Sequence, residues 1–332
     1  MRSLVTGGAG FIGSHLCEAL LERGHEVWAL DDLSTGRVEN LRSFERHSNF
    51  RFLEGDVTDV SLVKGLVAQS DRVYHLAAAV GVKYVLENPL RSLITNIRGS
   101  EVVLEACTEH QRRIILFSSS EVYGKGMSVP FSEDDDRVLG PTHKLRWSYA
   151  VGKTVDECLA QAYWQQKQLP VTVVRCFNTC GPRQTGAYGM VIPNMVERAL
   201  SGRPILVYGD GQQSRCFSAV FDVVRGVLLL VERPESHGEI YNIGTDEEVT
   251  VLGLAERIRS KCGSESAIEF VEYEAVYGRS FEDMRRRVPD LRKIGAAVGY
   301  RAEISLDRLL DMTIRDLCER LSLPLPAGVA RD

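Results

Sequence analysis

The stretch TGGAGFIG, Thr6 to Gly13, joins a short apolar segment, Ser3 to Thr6, to an amphipathic one, Ile12 to Arg23. A strand, three glycines in GxxGxxG spacing and then a helix open a parallel α/β sheet. Gly7, Gly10 and Gly13 permit a tight turn, a close backbone approach to a pyrophosphate, and packing of helix on strand. The first helical turn, with Phe11 and Ile12 between those glycines, offers free N–H groups and a partial positive charge to phosphate oxygens. A second strand, Glu26 to Asp31, ends on an acid eighteen residues after Gly13. Such an acid accepts hydrogen bonds from an adenosine ribose and repels a 2′-phosphate, so NAD is expected over NADP. Arg37 nearby is the opposing signal.

Working outward, apolar strands alternate with helical stretches through about the first 180 residues. Further strands are predicted at Arg51–Glu54, Arg72–Leu76, Ile114–Ser118 and Val171–Cys176, and helices at Leu62–Ala68, Pro89–His110 and Tyr149–Gln168. This alternation gives a Rossmann-type doubly wound parallel sheet whose ligands bind beyond the carboxyl ends of the strands. Those ends carry Gly7, Asp31, Asp56, Ala77 and Ser118 to Glu121. The later chain is less regular: helices at Val191–Ser201 and Asp222–Glu232, a strand and turn in PILVYGDG, and strand, loop and helix in NIGTDEEVTVLGLAERI. The expected division is a dinucleotide domain of residues 1–178 with about 216–244, and a smaller C-terminal α/β substrate domain of about 179–215 and 245–323. Residues 324–332, with two prolines, read as a frayed tail.

Tyr149 and Lys153 lie four residues apart in YAVGK, one helical turn, so their side chains share a face. A neighbouring ammonium stabilises phenolate and should lower the tyrosine pKa toward working pH. The pair is then a base for a hydroxyl proton while hydride leaves the same carbon. Ser119 or Ser120, at a strand end, can hold that hydroxyl. Arg215 follows a glycine turn, and an arginine there suits a pyrophosphate.

Composition agrees with a globular enzyme: 332 residues, 44% hydrophobic and 26% charged. A net charge of −5 argues against a general nucleic-acid binder. No apolar run approaches a membrane span, and the first strand begins too early for a signal peptide. Eight cysteines without a CxxC pair and seven histidines without HExxH give no metal-ligand spacing. Reduced, mostly buried thiols in cytosol are the plain reading.

TGGAGFIG, Asp31, GDV at Gly55–Val57, HLAA at His75–Ala78, SSSEVYG, YAVGK and RCFNTCGPRQ together resemble the extended short-chain dehydrogenase/reductase family. The nucleotide-sugar epimerases, dehydratases and decarboxylases are the most similar group, and the resemblance runs to about Leu310. One departure is Gly152, where most members carry Ser or Thr. The resemblance implies that Asp56 and Val57 contact adenine and that Leu76, Ala77, Ala78 and Asn96 line the cofactor cleft. It also implies that Lys153 bonds the nicotinamide ribose. Asn178 would meet the sugar diphosphate, and Tyr208 and Arg215 the nucleoside and phosphates. A homodimer built from the two long helices is implied too, with Val102, Val103 and Leu159 buried between chains.

Group members share a first step, hydride transfer from sugar carbon 4 to give a 4-ketone. Sugar 4,6-dehydratases carry Asp-Glu before VYG; here the pair is Ser120-Glu121. Ser-Glu resembles UDP-glucuronic acid decarboxylases, as does Tyr277 to Lys293, whose implied active-site arginine is Arg287. Arg287 would orient a sugar carboxylate or relay a proton, Glu121 would repel and desolvate it, and Ser120 would bond the ketone. Arg285 to Arg287 also read as a phosphate-binding or solvated cluster, with Arg285 a substrate contact. UDP-glucuronate decarboxylation with recycled NAD is the first expectation. A UDP-sugar 4-epimerase is the second, and a dehydratase or a non-catalytic dinucleotide binder are lesser alternatives.

Overall fold

A computed structural model describes residues 1–126, 128–273 and 284–330. Seven parallel strands form the main sheet. Six are β1 (Arg2–Thr6), β2 (Glu26–Asp31), β3 (Phe50–Glu54), β4 (Arg72–His75), β5 (Arg113–Ser119) and β6 (Val171–Cys176); the seventh is Ile240–Ile243. Their spatial order is β3-β2-β1-β4-β5-β6 and then the seventh strand. The chain therefore reverses direction of travel between β1 and β4, and a crevice opens at their carboxyl ends. Every residue of β5 from Ile114 to Phe117 is buried, which is why the strand reads as an apolar run rather than an alternation.

Helices α1 (Phe11–Glu22), α2 (Val60–Ala68), α3 (Val82–Glu87), α4 (Pro89–Glu109) and α5 (Ser148–Lys167) cover the sheet. Two apolar cores result, one per face. Leu16, Leu20 and Val27 belong to one, and Leu4, Val102, Leu116 and Val173 to the other. Burying each such side chain contributes about 1.5–3 kcal/mol. Val102 and Val103 are fully buried against the sheet of their own chain. The expectation that they meet a second chain is therefore corrected: they sit on the inward face of α4. Leu90 and Ile94 are large apolar side chains that α4 exposes, and α5 exposes Val151.

A third core gathers α6 (Val191–Leu200), the helix Val251–Lys261 and the helix Leu306–Leu321 around Ile205, Val207 and Phe217. Strand Ile205–Tyr208 pairs in parallel with Ile268–Val271. Strand Ser214–Cys216 pairs with Glu248–Thr250 on one side and with Arg286–Arg287 on the other. Residues 277–283 of the C-terminal match lie outside the described residues.

Candidate active site

The glycine turn forms as its spacing demands. Gly7 has φ +72°, and a Cβ there would lie 2.8 Å from the Ala77 nitrogen. A Cβ on Gly13 would lie 2.0 Å from the Gly7 carbonyl oxygen, so no side chain fits between turn and helix. Among the described residues no side chain caps the α1 N-terminus at Gly10. Its amide groups remain available to an anion. Asp31 accepts the Ala9 and Leu33 amides at 3.0 and 2.9 Å, which fixes its carboxylate beside the turn. Burial raises the Asp31 pKa above the usual carboxylate value. This cradle fits a dinucleotide: a pyrophosphate at the bare amides, a ribose at the acid. Arg37 shares the cleft wall but pairs with Glu39 at 3.6 Å.

One cavity of about 580 Å³ runs from this turn to the C-terminal elements. Gly7, Gly10, Phe11, Ile12, Gly13 and Asp31 line one end, and Asp56, Val57, Leu76, Ala77 and Ala78 continue the wall. Ser119, Ser120, Glu121, Tyr149 and Lys153 stand in the middle. Asn178, Tyr208, Arg215 and Arg287 line the far end. Two sequence assignments are corrected. Asn96 is buried behind the wall and accepts the Ala79 amide at 2.7 Å, so it shapes the loop after β4 rather than the cleft surface. Arg285 points outward, with a side chain 73% exposed, and pairs with Asp210 at 2.8 Å.

Tyr149 lies in the first turn of α5 and is hydrogen-bonded to Ser119. Its phenol is raised, not lowered: burial acts first, then the Glu121 and Asp156 carboxylates, against the Ser119 bond. The expected lowering is thus corrected for the chain by itself. Lys153 donates to Asp156, 3.1 Å away. Behind them His75 bonds Thr6 at 2.8 Å and Ser100 at 3.1 Å. Burial, then the Lys153 charge, lowers its pKa to about 3, so the imidazole is neutral.

Glu121 is the second residue of the turn Ser120–Tyr123 at the end of β5 and sits between two guanidinium groups. Arg287 Nη2 approaches Oε1 at 2.7 Å and Arg146 Nη1 approaches Oε2 at 2.6 Å. Burial alone would raise the Glu121 pKa, but the two arginine charges overcome it and hold it near 2. Glu121 is a permanent carboxylate inside a cluster of net charge +1, so a lone repelling anion is not what this position supplies. Arg287 also donates to Ser120 at 3.4 Å and to Asn178 at 3.2 Å. Its strand partner is Arg215, and Phe131 bonds the backbone of Val288 and Asp290 on either side of Pro289, at 2.8 Å each. Strand alternation explains the selection: Arg286 turns out to Glu248 while Arg287 turns in. Arg146 escaped sequence reading. Its only signal is its place three residues before Tyr149, one turn back on the same side.

A parallel sheet opened by a bare glycine cradle, with phenol, ammonium and arginine-clamped carboxylate in one cleft, has the layout of a dinucleotide-dependent enzyme. Residues 4–313 match the family model described as GDP-mannose 4,6 dehydratase. The chain is 42% identical to UDP-N-acetyl-alpha-D-glucosaminuronate decarboxylase of Bacillus cytotoxicus, over 95% of this chain and 97% of that protein. It is 36% identical to UDP-glucuronic acid decarboxylase 1 of Danio rerio, over 95% of this chain and 72% of that one. The solved UDP-glucuronic acid 4-epimerase of Bacillus cereus, in complex with UDP-glucuronic acid and NAD, superposes with TM-score 0.87 at 28% identity, covering 96% of this chain and all of that one. The chain belongs to this family, the NAD-dependent nucleotide-sugar epimerases, dehydratases and decarboxylases among the extended short-chain dehydrogenase/reductases.

Proposed function

We propose that this protein decarboxylates a UDP-linked hexuronate through a 4-keto sugar, with NAD held at the glycine cradle and returned to its starting state. The observation that carries this reading is the buried Arg146–Glu121–Arg287 cluster beside Tyr149 and Ser120. NAD, when bound, accepts the hydride from sugar carbon 4 and later gives it back. The Tyr149 phenol, raised in the chain by itself, becomes a base once the positive charge of the bound oxidised nicotinamide favours its phenolate. It then takes the 4-hydroxyl proton, and Ser120 and Ser119 hold that oxygen. Lys153 binds the cofactor ribose, and Asn178, Tyr208 and Arg215 bind the nucleoside diphosphate.

Once carbon 4 is a ketone, the carboxyl on carbon 5 is β to it. The carbon–carbon bond breaks, its electrons enter the carbonyl, carbon dioxide leaves, and a proton from solvent water is added at carbon 5 as the enolate returns to the ketone. The negative charge must move from carboxylate to enolate oxygen. Two unscreened arginines would hold the carboxylate in its ground state and raise the barrier, because only stronger transition-state binding speeds the step. Glu121 between them limits that hold, while Arg287 keeps contact with Ser120 beside the oxygen where charge arrives.

A UDP-glucuronate 4-epimerase also needs a cation at the carboxylate, and the similarity to the solved 4-epimerase favours it as second reading. Incubation with UDP-glucuronate and its 2-acetamido counterpart, read by product mass, separates the two. A homodimer through the exposed parts of α4 and α5, and a cytoplasmic location, complete the proposal. Among the described residues no helix is long and apolar enough to cross a membrane.

A further inference from the structure

Helix α5 buries two adjacent carboxylates, and they have different work. Glu157 ties helix to sheet: it accepts from Ser118 and from Arg175 through both oxygens. Asp156 does none of this. It is fully buried, its Oδ2 receives the Lys153 ammonium at 3.1 Å, and its Oδ1 has no hydrogen-bond partner among the described residues. Lys153 is itself buried, and Asp156 is its only ion-pair partner among those residues. Residues 149, 153 and 156 recur at helical spacing, so phenol, ammonium and carboxylate share one face.

Among the described residues, the other groups facing this trio do not supply a counter-charge to the lysine. His75 is neutral and committed to Thr6 and Ser100. Cys176 keeps its proton, since burial raises the thiol to about 12. Glu121 is taken by Arg146 and Arg287. A buried ammonium without a nearby anion is strongly unfavourable. The cost grows if a second cation must enter the same cleft, as the oxidised nicotinamide does in the function proposed above.

We propose that Asp156 is a positioning residue of this site: its carboxylate holds the Lys153 ammonium in the cleft wall and offsets its charge, so that the cleft admits a positively charged nicotinamide. The proposal rests on the NAD-dependent reading but not on which sugar is converted. The positive charge is present in NAD+ and absent in NADH, so the two cofactors report the electrostatic term directly.

The test is calorimetric titration of cofactor-stripped full-length protein with NAD+ and with NADH. Asp156→Asn keeps shape and an acceptor oxygen but removes the charge. NAD+ affinity should fall about tenfold while NADH affinity changes less than about threefold. Lys153→Met supplies a second variant of opposite sign, leaving the carboxylate uncompensated, so the preference for NAD+ over NADH should rise. A merely structural aspartate would weaken both cofactors alike, and an unchanged NAD+/NADH ratio in both variants overturns the proposal. If the ratio shifts as stated while the wild-type protein converts no uronate, the sugar chemistry is wrong and the role of Asp156 stands.

Discussion

Arg287 and Glu121 meet at 2.7 Å across the cleft, one from a two-residue strand near the C-terminus, the other from the turn after β5. Arg146 closes the cluster from the opposite side of the same carboxylate. Removing the carboxylate charge takes away the anion that these two guanidinium groups share beside the substrate cleft. Glu121→Gln should therefore lower KM for a UDP-hexuronate and lower kcat by about 10²-fold or more, because ground-state binding gains and the transition state does not. Steady-state kinetics checks this. Unchanged kcat with raised KM would contradict it.

Acid stability should show the same cluster. The folded-state pKa of Glu121, near 2, lies below its ordinary value of 4.5. Its contribution is fully present above the ordinary value and is lost as pH falls from there toward 2. Between those limits the wild-type protein should lose stability with acid more steeply than Glu121→Gln. Thermal unfolding at a series of pH values measures the difference in slope.

Tyr149→Phe should cut turnover by about 10²–10⁴-fold and leave NAD affinity within a few-fold of wild type. In the proposed role the phenolate oxygen takes the proton, whereas the ring only helps to fill the cleft. Single-turnover kinetics with calorimetry of NAD separates the two effects.

Gly13→Ala should destabilise the protein by about 1–3 kcal/mol and lower its NAD content on purification, because the new methyl meets the Gly7 carbonyl 2.0 Å away. Gly24→Ala is the control: its surroundings are open, so only its φ of +77° resists substitution and NAD content should hold. Denaturant unfolding and cofactor extraction read both outcomes.

Most of the sheet was legible because its signals are local. Glu26–Asp31 and Val171–Cys176 form strands at the residues expected, and α4 and α5 differ from expectation by one residue at their ends. Glycine spacing announced the tight turn between β1 and α1 for the same reason. What escaped depends on contacts between distant segments. Arg146 matters only because the turn before α5 brings it against Glu121. That Arg285 faces outward and Arg287 lines the cleft depends on pairing with Ser214–Cys216, which no local pattern announces. The raised phenol of Tyr149 follows from burial and from carboxylates on two elements, whereas reading YxxxK alone counts only the ammonium. Asn96 looked like a cleft residue in the resemblance, yet its amide is taken by the Ala79 backbone.

The most direct test is the mass of the nucleotide sugar recovered after incubation with UDP-glucuronate or its 2-acetamido counterpart, without added cofactor if NAD is retained. We expect one carbon dioxide released per product, a UDP-pentose or its acetamido form, and no net NADH. A product of unchanged mass with carbon 4 inverted would contradict decarboxylation, and recovery of both substrates untouched would contradict the account as a whole.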